Sequence, residues 1–228
     1  MTPIDPKDFT SRLHEGTAHE RRLEWEAAET LYTRLLDDFG PVGAEDWSAH
    51  RMRATARLRR ANALMELERW DEARGALDGA LDDAKASGDG DVLAQALLAA
   101  GVYATNRGDM ARAEAFLMDA LARYHRADDR VSLQGRGWAF LSLASLYGKT
   151  GRLDLAFVTF TKAQDVLGAA QDPEGVAAAW EAQAQLRRAI HDEDRWREDL
   201  AEAVVFYDRA GMAEKAERLR KLLGRKLV

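Results

Sequence analysis

One spacing, repeated five times, limits what this chain can fold into. Small residues stand at Gly16, Ala61, Gly101, Ala144 and Ala184, and twelve residues after them come Ala28, Ala73, Ala113, Ala156 and Trp196. Four further on lie Tyr32, Leu77, Leu117, Phe160 and Leu200; three beyond those are Leu35, Ala80, Ala120, Ala163 and Ala203. Successive copies are 45, 40, 43 and 40 residues apart. Close packing explains the pattern. A small residue on the first helix of a hairpin lets the second helix approach. Two small positions seven apart on the second helix let the next hairpin dock, and the bulky residue between them fills the hole. Trp196 breaks the rule for small residues and puts the register of the fifth copy in question.

The rest of the sequence is consistent with helices. Proline occurs at 3, 6, 41 and 173, which leaves 9–40 and 44–172 free of this helix breaker. Apolar residues recur three and four apart, as in Leu64, Leu67, Trp70, Ala73, Leu77 and Leu81. No stretch alternates apolar and polar residues with β-branched enrichment, so strands are not expected. Stop signals cluster at 88–91, 107–109, 128–129, 150–152, 171–173 and 191–194, where glycine, proline and aspartate can satisfy helix ends. About ten helices of roughly 15–20 residues are predicted, joined by short turns and packed antiparallel to their sequence neighbours, with an eleventh at the C-terminus.

These residues resemble the tetratricopeptide repeat family over nearly the whole chain. The best copy runs Leu143-Ala144-Ser145-Leu146-Tyr147, then Thr150-Gly151-Arg152-Leu153, then Ala156, Phe160 and Ala163. A large residue opens the second helix at Trp25, Trp70, Met110 and Leu153, as in the family. The period near 40 departs from the family's 34 and resembles its longer-helix branch, seen in kinesin light chains and bacterial peptide-sensing regulators. The resemblance implies an all-α, right-handed superhelical array forming one domain. Five hairpins are expected over roughly 8–40, 45–88, 90–128, 130–171 and 173–210, with a capping helix over 212–224. Met212, Ala216, Leu219 and Leu223 form its single apolar stripe, followed by a basic tail to Val228.

Composition removes several function classes. The 228 residues carry 33 basic and 39 acidic side chains, a net charge of −6 that does not favour nucleic acid. There is no cysteine, hence no disulfide framework, thiolate zinc site or cysteine nucleophile. No run of about 18 apolar residues could span a membrane. The N-terminus lacks a basic stretch followed by an apolar one, and a cytoplasmic protein is expected. The five histidines, at 14, 19, 50, 125 and 191, form no HExxH motif and read as solvated helix residues, with Glu15 and His19 a possible i,i+4 pair. Asp192-Glu193-Asp194 lacks calcium-loop spacing and reads as a helix start. Gly148-Lys149-Thr150 echoes a phosphate loop, but Leu143 stands where that motif needs glycine and no strand precedes it. Neither enzymatic activity nor a cofactor or metal is expected.

Two clusters have competing readings. Arg51, Arg53, Arg57, Arg59 and Arg60 crowd one helix. They form either a patch for an acidic partner or an internal edge neutralised by Glu20, Glu24, Glu26 and Glu29, and their positions favour the internal edge. Trp25, Trp70, Phe116, Phe140, Phe160 and Trp180 sit at core spacings, whereas Trp138 falls on the outward side of its helix.

The family resemblance implies that the first helix of each hairpin lines a concave groove. The register places Thr55, Arg59, Asn62 and Glu66 there, then Gln95, Ala99, Val102 and Asn106. Trp138, Ser142, Ser145, Lys149, Ala178, Ala182 and Gln185 follow. Asparagine offers both a donor and an acceptor and can hold the backbone of an extended peptide. The clamp of chaperone-tail binders is not matched, since Leu13 and Leu58 stand where its lysine would be. The expected function is non-catalytic binding of a peptide or protein segment in that groove. The alternative is a structural scaffold or self-assembling homo-oligomer that uses edges and the convex face.

Overall fold

The computed structural model describes residues 5–39, 42–43, 45–124 and 129–224. Pro3, Gly40, Pro41, Ala44, His125, Asp128 and the basic tail 225–228 lie outside them. The described residues are helical, with no strand. The helices are α1 (Pro6–Arg21), α2 (Trp25–Asp37), α3 (Trp47–Glu66), α4 (Trp70–Ser87), α5 (Gly90–Arg107), α6 (Met110–Tyr124), α7 (Arg130–Lys149), α8 (Leu153–Ala169), α9 (Pro173–Ala189), α10 (Glu193–Arg209) and α11 (Ala213–Leu223). The odd-numbered helices up to α9 are here called A helices and their hairpin partners B helices.

Each A helix starts the same way. The carboxylates of Asp5, Asp46, Asp89, Asp129 and Asp172 accept hydrogen bonds from backbone amides two or three residues on, at 2.7–3.1 Å. They satisfy donors that a helix start leaves orphaned. Pro6 and Pro173 occupy the first turn, where no N–H is required.

Each A helix also ends the same way. The residue seven after the small position takes a left-handed conformation: Leu23, Glu68, Gly108, Gly151 and His191, with φ between 54° and 82° at these and the other left-handed turns. The next amide then reaches back five residues, Glu24 to the His19 carbonyl, Arg69 to Leu64, Asp109 to Ala104, Arg152 to Tyr147 and Asp192 to Arg187, at 2.9–3.0 Å. This is the closure that satisfies helix-terminal carbonyls and reverses the chain in three residues. Only two of the five positions are glycine, although an L-residue there costs about 1–2 kcal/mol.

The chain forms two compact units, Met1–Tyr103 and Ala104–Val228, divided within α5. In the first unit, α3 and α4 pack along their length around Ala54, Leu58, Ala61, Leu64, Ala73, Leu77 and Ala80, and the start of α5 adds Val92, Ala96 and Ala99. Phe9, Leu35, Phe39 and Ala56 form a second cluster, with the Phe9 and Phe39 rings edge-on at 5.8 Å. In the second unit, Trp196, Leu200, Ala203 and Tyr207 of α10 pack on Ala177 and Ala184 of α9, and Met212, Ala216 and Leu219 close over them. The capping stripe therefore packs against α10, with Leu223 half-buried at its end.

All twenty positions of the repeated spacing are buried. Trp196 keeps the register: it opens α10 and is 3% exposed. The first copy uses glycine because of its partner, since a Cβ at Gly16 would lie 2.4 Å from the Tyr32 ring. Of the six aromatics read as core, Phe160 is fully buried and the other five are half-buried, capping the core's rim.

Two stability measurements check this account. Ala156→Leu and Ala113→Leu each force a large side chain into a filled helix crossing and are expected to cost about 1–3 kcal/mol by denaturant titration. Glu68→Gly relieves a left-handed turn whose side chain is exposed, and is expected to stabilise the chain by about 0.5–1 kcal/mol, visible as a raised Tm. A lowered Tm would mean that Glu68 holds the turn by its side chain.

Candidate functional site

Charge placement separates the surface that is free to bind from the surface already occupied. The arginine-rich face of α3 is occupied. Arg53 Nε donates to the Asp83 carboxylate at 2.8 Å, Arg57 Nη1 reaches the same carboxylate, and His50 Nδ1 lies 2.8 Å from it. Arg57 also donates to the Gly79 carbonyl at 2.9 Å, and a Cβ at Gly79 would lie 2.8 Å from its guanidinium. Asp83 is 2% exposed. Burial pushes its pKa up, but hydrogen bonds from Arg53 and His50 and the charges of Arg57 and Arg53 outweigh that and hold it below the ordinary carboxylate range.

The same helix reaches the first hairpin. Arg60 Nε donates to Glu29 at 2.9 Å, and Arg59 Nη1 to Glu20 at 3.2 Å. Glu20 also accepts the Tyr32 hydroxyl proton at 2.9 Å. Four of the five arginines therefore face internal carboxylates, and Arg51 stands 3.8 Å from Asp89. The sequence pointed to Glu20 and Glu29 but missed Asp83, the most buried partner. His50 corrects the reading of the histidines as solvated, since it is buried in this network. His19 pairs with Glu24 at 2.6 Å rather than with Glu15.

The outward faces of the A helices are different. In the first unit, Thr55 and Asn62 are half-buried, Gln95 is exposed and Val102 half-buried. Thr55 Oγ1 donates to the Arg51 carbonyl at 3.0 Å. Arg59, although on this face, is tied to Glu20. The same offsets from Gly16 fall on Thr10, His14, Thr17 and Arg21, which are exposed or half-buried. The constant offset that located the other copies points to these four as well.

In the second unit, Asn106 and Lys149 come together: Lys149 Nζ donates to Asn106 Oδ1 at 3.2 Å, and both side chains are exposed. Ser142 and Ser145 are half-buried and donate to the carbonyls of Trp138 and Leu141, each at 3.0 Å, which leaves their oxygen lone pairs outward. Trp138 is anchored, its indole N–H donating to Asp172 at 3.0 Å beside Gln134 at 2.8 Å. Because Asp172 also caps α9, Trp138 belongs to the junction of α7 and α9. Ala178 and Ala182 are half-buried and Gln185 is exposed. Among the described residues no group of three or more histidine, aspartate or glutamate side chains could hold a metal ion, and no helix is long and apolar enough to cross a membrane.

No family model matches the sequence, and no curated protein matches it significantly. Solved structures do match. The chain is similar to BtubC (BKLC) from P. vanneervenii, at 17% identity and TM-score 0.59, covering 93% of this chain and 80% of that one. It is also similar to a kinesin light chain-like protein of P. anserina with nearly identical TPR-like repeats, at 12% identity and TM-score 0.60, covering 92% and 99%. At these identities the likeness is one of fold.

Removing the shared carboxylate checks the α3 network. Asp83→Ala leaves Arg53 and Arg57 facing each other without a counter-charge, and a loss of about 2–4 kcal/mol is expected at pH 7, below the full buried-pair penalty because both arginines are partly exposed. Asp83's folded pKa lies below its unfolded value. Its contribution is therefore complete above about pH 4, the unfolded range, and fades as pH falls through the folded pKa. The Tm gap between wild type and variant should therefore narrow as pH falls below the unfolded carboxylate range. A gap that stays constant with pH would overturn this assignment.

Proposed function

We propose that this chain, whose fold is that of a tetratricopeptide-like repeat array, is a non-catalytic interaction module that holds an extended peptide or protein segment against the outward faces of its A helices. The charge distribution carries this reading. The arginine-rich face of α3 is consumed by internal carboxylates, whereas the A-helix faces carry small and neutral-polar side chains with unspent hydrogen-bonding capacity. Such a surface suits a backbone, whose amides and carbonyls recur whatever the side chains.

Asn106 and Lys149 give the recognition a direction. Because Asn106 Oδ1 accepts from Lys149, the two amide hydrogens of Asn106 remain to donate outward. Lys149 keeps two further donors. This pair suits a carbonyl or carboxylate oxygen, while Ser142 and Ser145 offer acceptors to backbone N–H groups. Gln185 carries the same chemistry on α9, and in the first unit Asn62 and Gln95 do so on α3 and α5, whose outward faces also carry Thr55 and Val102. Arg59 is held by Glu20 and contributes shape more than free charge.

The test uses a peptide selected from a random display library against the full chain. Losing two neutral hydrogen-bonding side chains costs about 1–3 kcal/mol in total, so Asn62→Ala with Asn106→Ala should weaken that peptide roughly 5- to 150-fold. The Tm should stay within a degree or two, since neither side chain is part of the buried core. Unchanged affinity, or failure of the library to yield any peptide, would remove the reading.

A further inference from the structure

Helix α8 exposes two large apolar side chains within one turn of its outer face, where α6 exposes Met118 alone and α10 Val205 alone. Leu155 and Val158 are 44% and 53% exposed, with Thr161 exposed one turn on. The outer side of α4 instead carries Asp71, Arg74, Asp78, Asp82 and Lys85. Asp154 and Lys162 flank the α8 stripe, and neither forms an ion pair with another described residue. Their positions are symmetric. Asp154 lies four residues before Val158 and Lys162 four after it, while Leu155 and Thr161 lie three before and three after.

We propose that α8 pairs antiparallel with α8 of a second copy, about a twofold axis passing at Val158. In a twofold contact, if residue i meets residue j then j also meets i. A helix face binds itself this way when its pattern, reversed about the axis, is complementary. Here Val158 meets the partner's Val158, Leu155 packs against the aliphatic stem of the partner's Lys162, and Asp154 faces the ammonium of that same lysine. One sequence pattern thus yields two apolar contacts flanking a central one, and two ion pairs. Pairing covers the two apolar side chains and gives both charges partners. One helix face falls well short of the roughly 800 Å² per partner of a stable complex, so the dimer is of the weak class, forming over about 10–500 µM. The contact uses B-helix surface and leaves the A-helix faces free, so it stands or falls separately from peptide binding.

The absence of cysteine makes the test clean. In the full chain, Val158→Cys places a single thiol on the axis, where its twofold mate is within disulfide reach, while Val205→Cys places one on α10 at similar exposure, 42%. Under mild oxidation at about 100 µM, the 158 variant should cross-link at least tenfold faster than the 205 variant. Sedimentation equilibrium of the cysteine-free chain should show mass rising towards twice the monomer. Asp154→Lys or Lys162→Asp alone should weaken association about tenfold, and the two together should restore it. Monomer mass throughout, equal cross-linking at 158 and 205, or a double reversal that fails to rescue would each overturn the proposal.

Discussion

How closely two helices can approach decides almost everything else in this chain. At each of the five crossings a glycine or alanine on the A helix faces a buried side chain of the hairpin, and at Gly16 even a methyl group would collide with the Tyr32 ring. Packing at that distance leaves no room for side chains to adjust, so the bulky residues follow from the small ones. Tyr32 requires glycine opposite it, whereas the copies with Leu77, Phe160 and Leu200 carry alanine. The α7 glycines show the same constraint from the other side. A Cβ at Gly135 would meet Tyr124 at 2.2 Å, and one at Gly137 would meet Leu167 at 2.4 Å.

Close approach also determines where charge can go. With the crossings filled by alanine and leucine, the first unit takes its buried carboxylates at the edges, where three of them are matched. Asp83 serves two arginines and a histidine, Glu29 serves Arg60 and Arg69, and Glu20 serves Arg59 and Tyr32. A carboxylate buried among several donors keeps its charge without an isolated-ion penalty. The charges that could have made α3 an anion-binding surface are spent on holding its neighbours, which directs attention to the neutral faces.

The fold was legible because its signal is redundant: five copies of one spacing outvote a single exception such as Trp196. Sites were less legible, because a periodicity says which side a residue faces but not which side chain reaches it. Arg53 and Arg57 were visible as a stripe, yet their partner Asp83 lies 26 to 30 residues away on the next helix, at a position without special spacing. The pairing of Asn106 with Lys149 spans 43 residues and was hidden for the same reason. Leu23, Glu68 and His191 escaped notice as left-handed turn residues because their chemistry argues against that conformation. Only their constant offset of seven from the small position gives them away.

That offset bears on the order in which the chain folds. A turn with glycine at the left-handed position, as at Gly108 and Gly151, is already accessible to the unfolded chain. A turn that must hold Leu23, Glu68 or His191 in the same conformation closes only when packing on both sides compensates for the strain. Turn strain alone therefore favours early closure of the α5–α6 and α7–α8 hairpins, with those turning at Leu23, Glu68 and His191 closing later. Transition-state φ-values at Phe160 should accordingly exceed those at Tyr32, and the reverse ranking would show that turn strain does not set the route. In this chain the least demanding turns lie in the middle, so folding is expected to spread outwards from the centre rather than from either end.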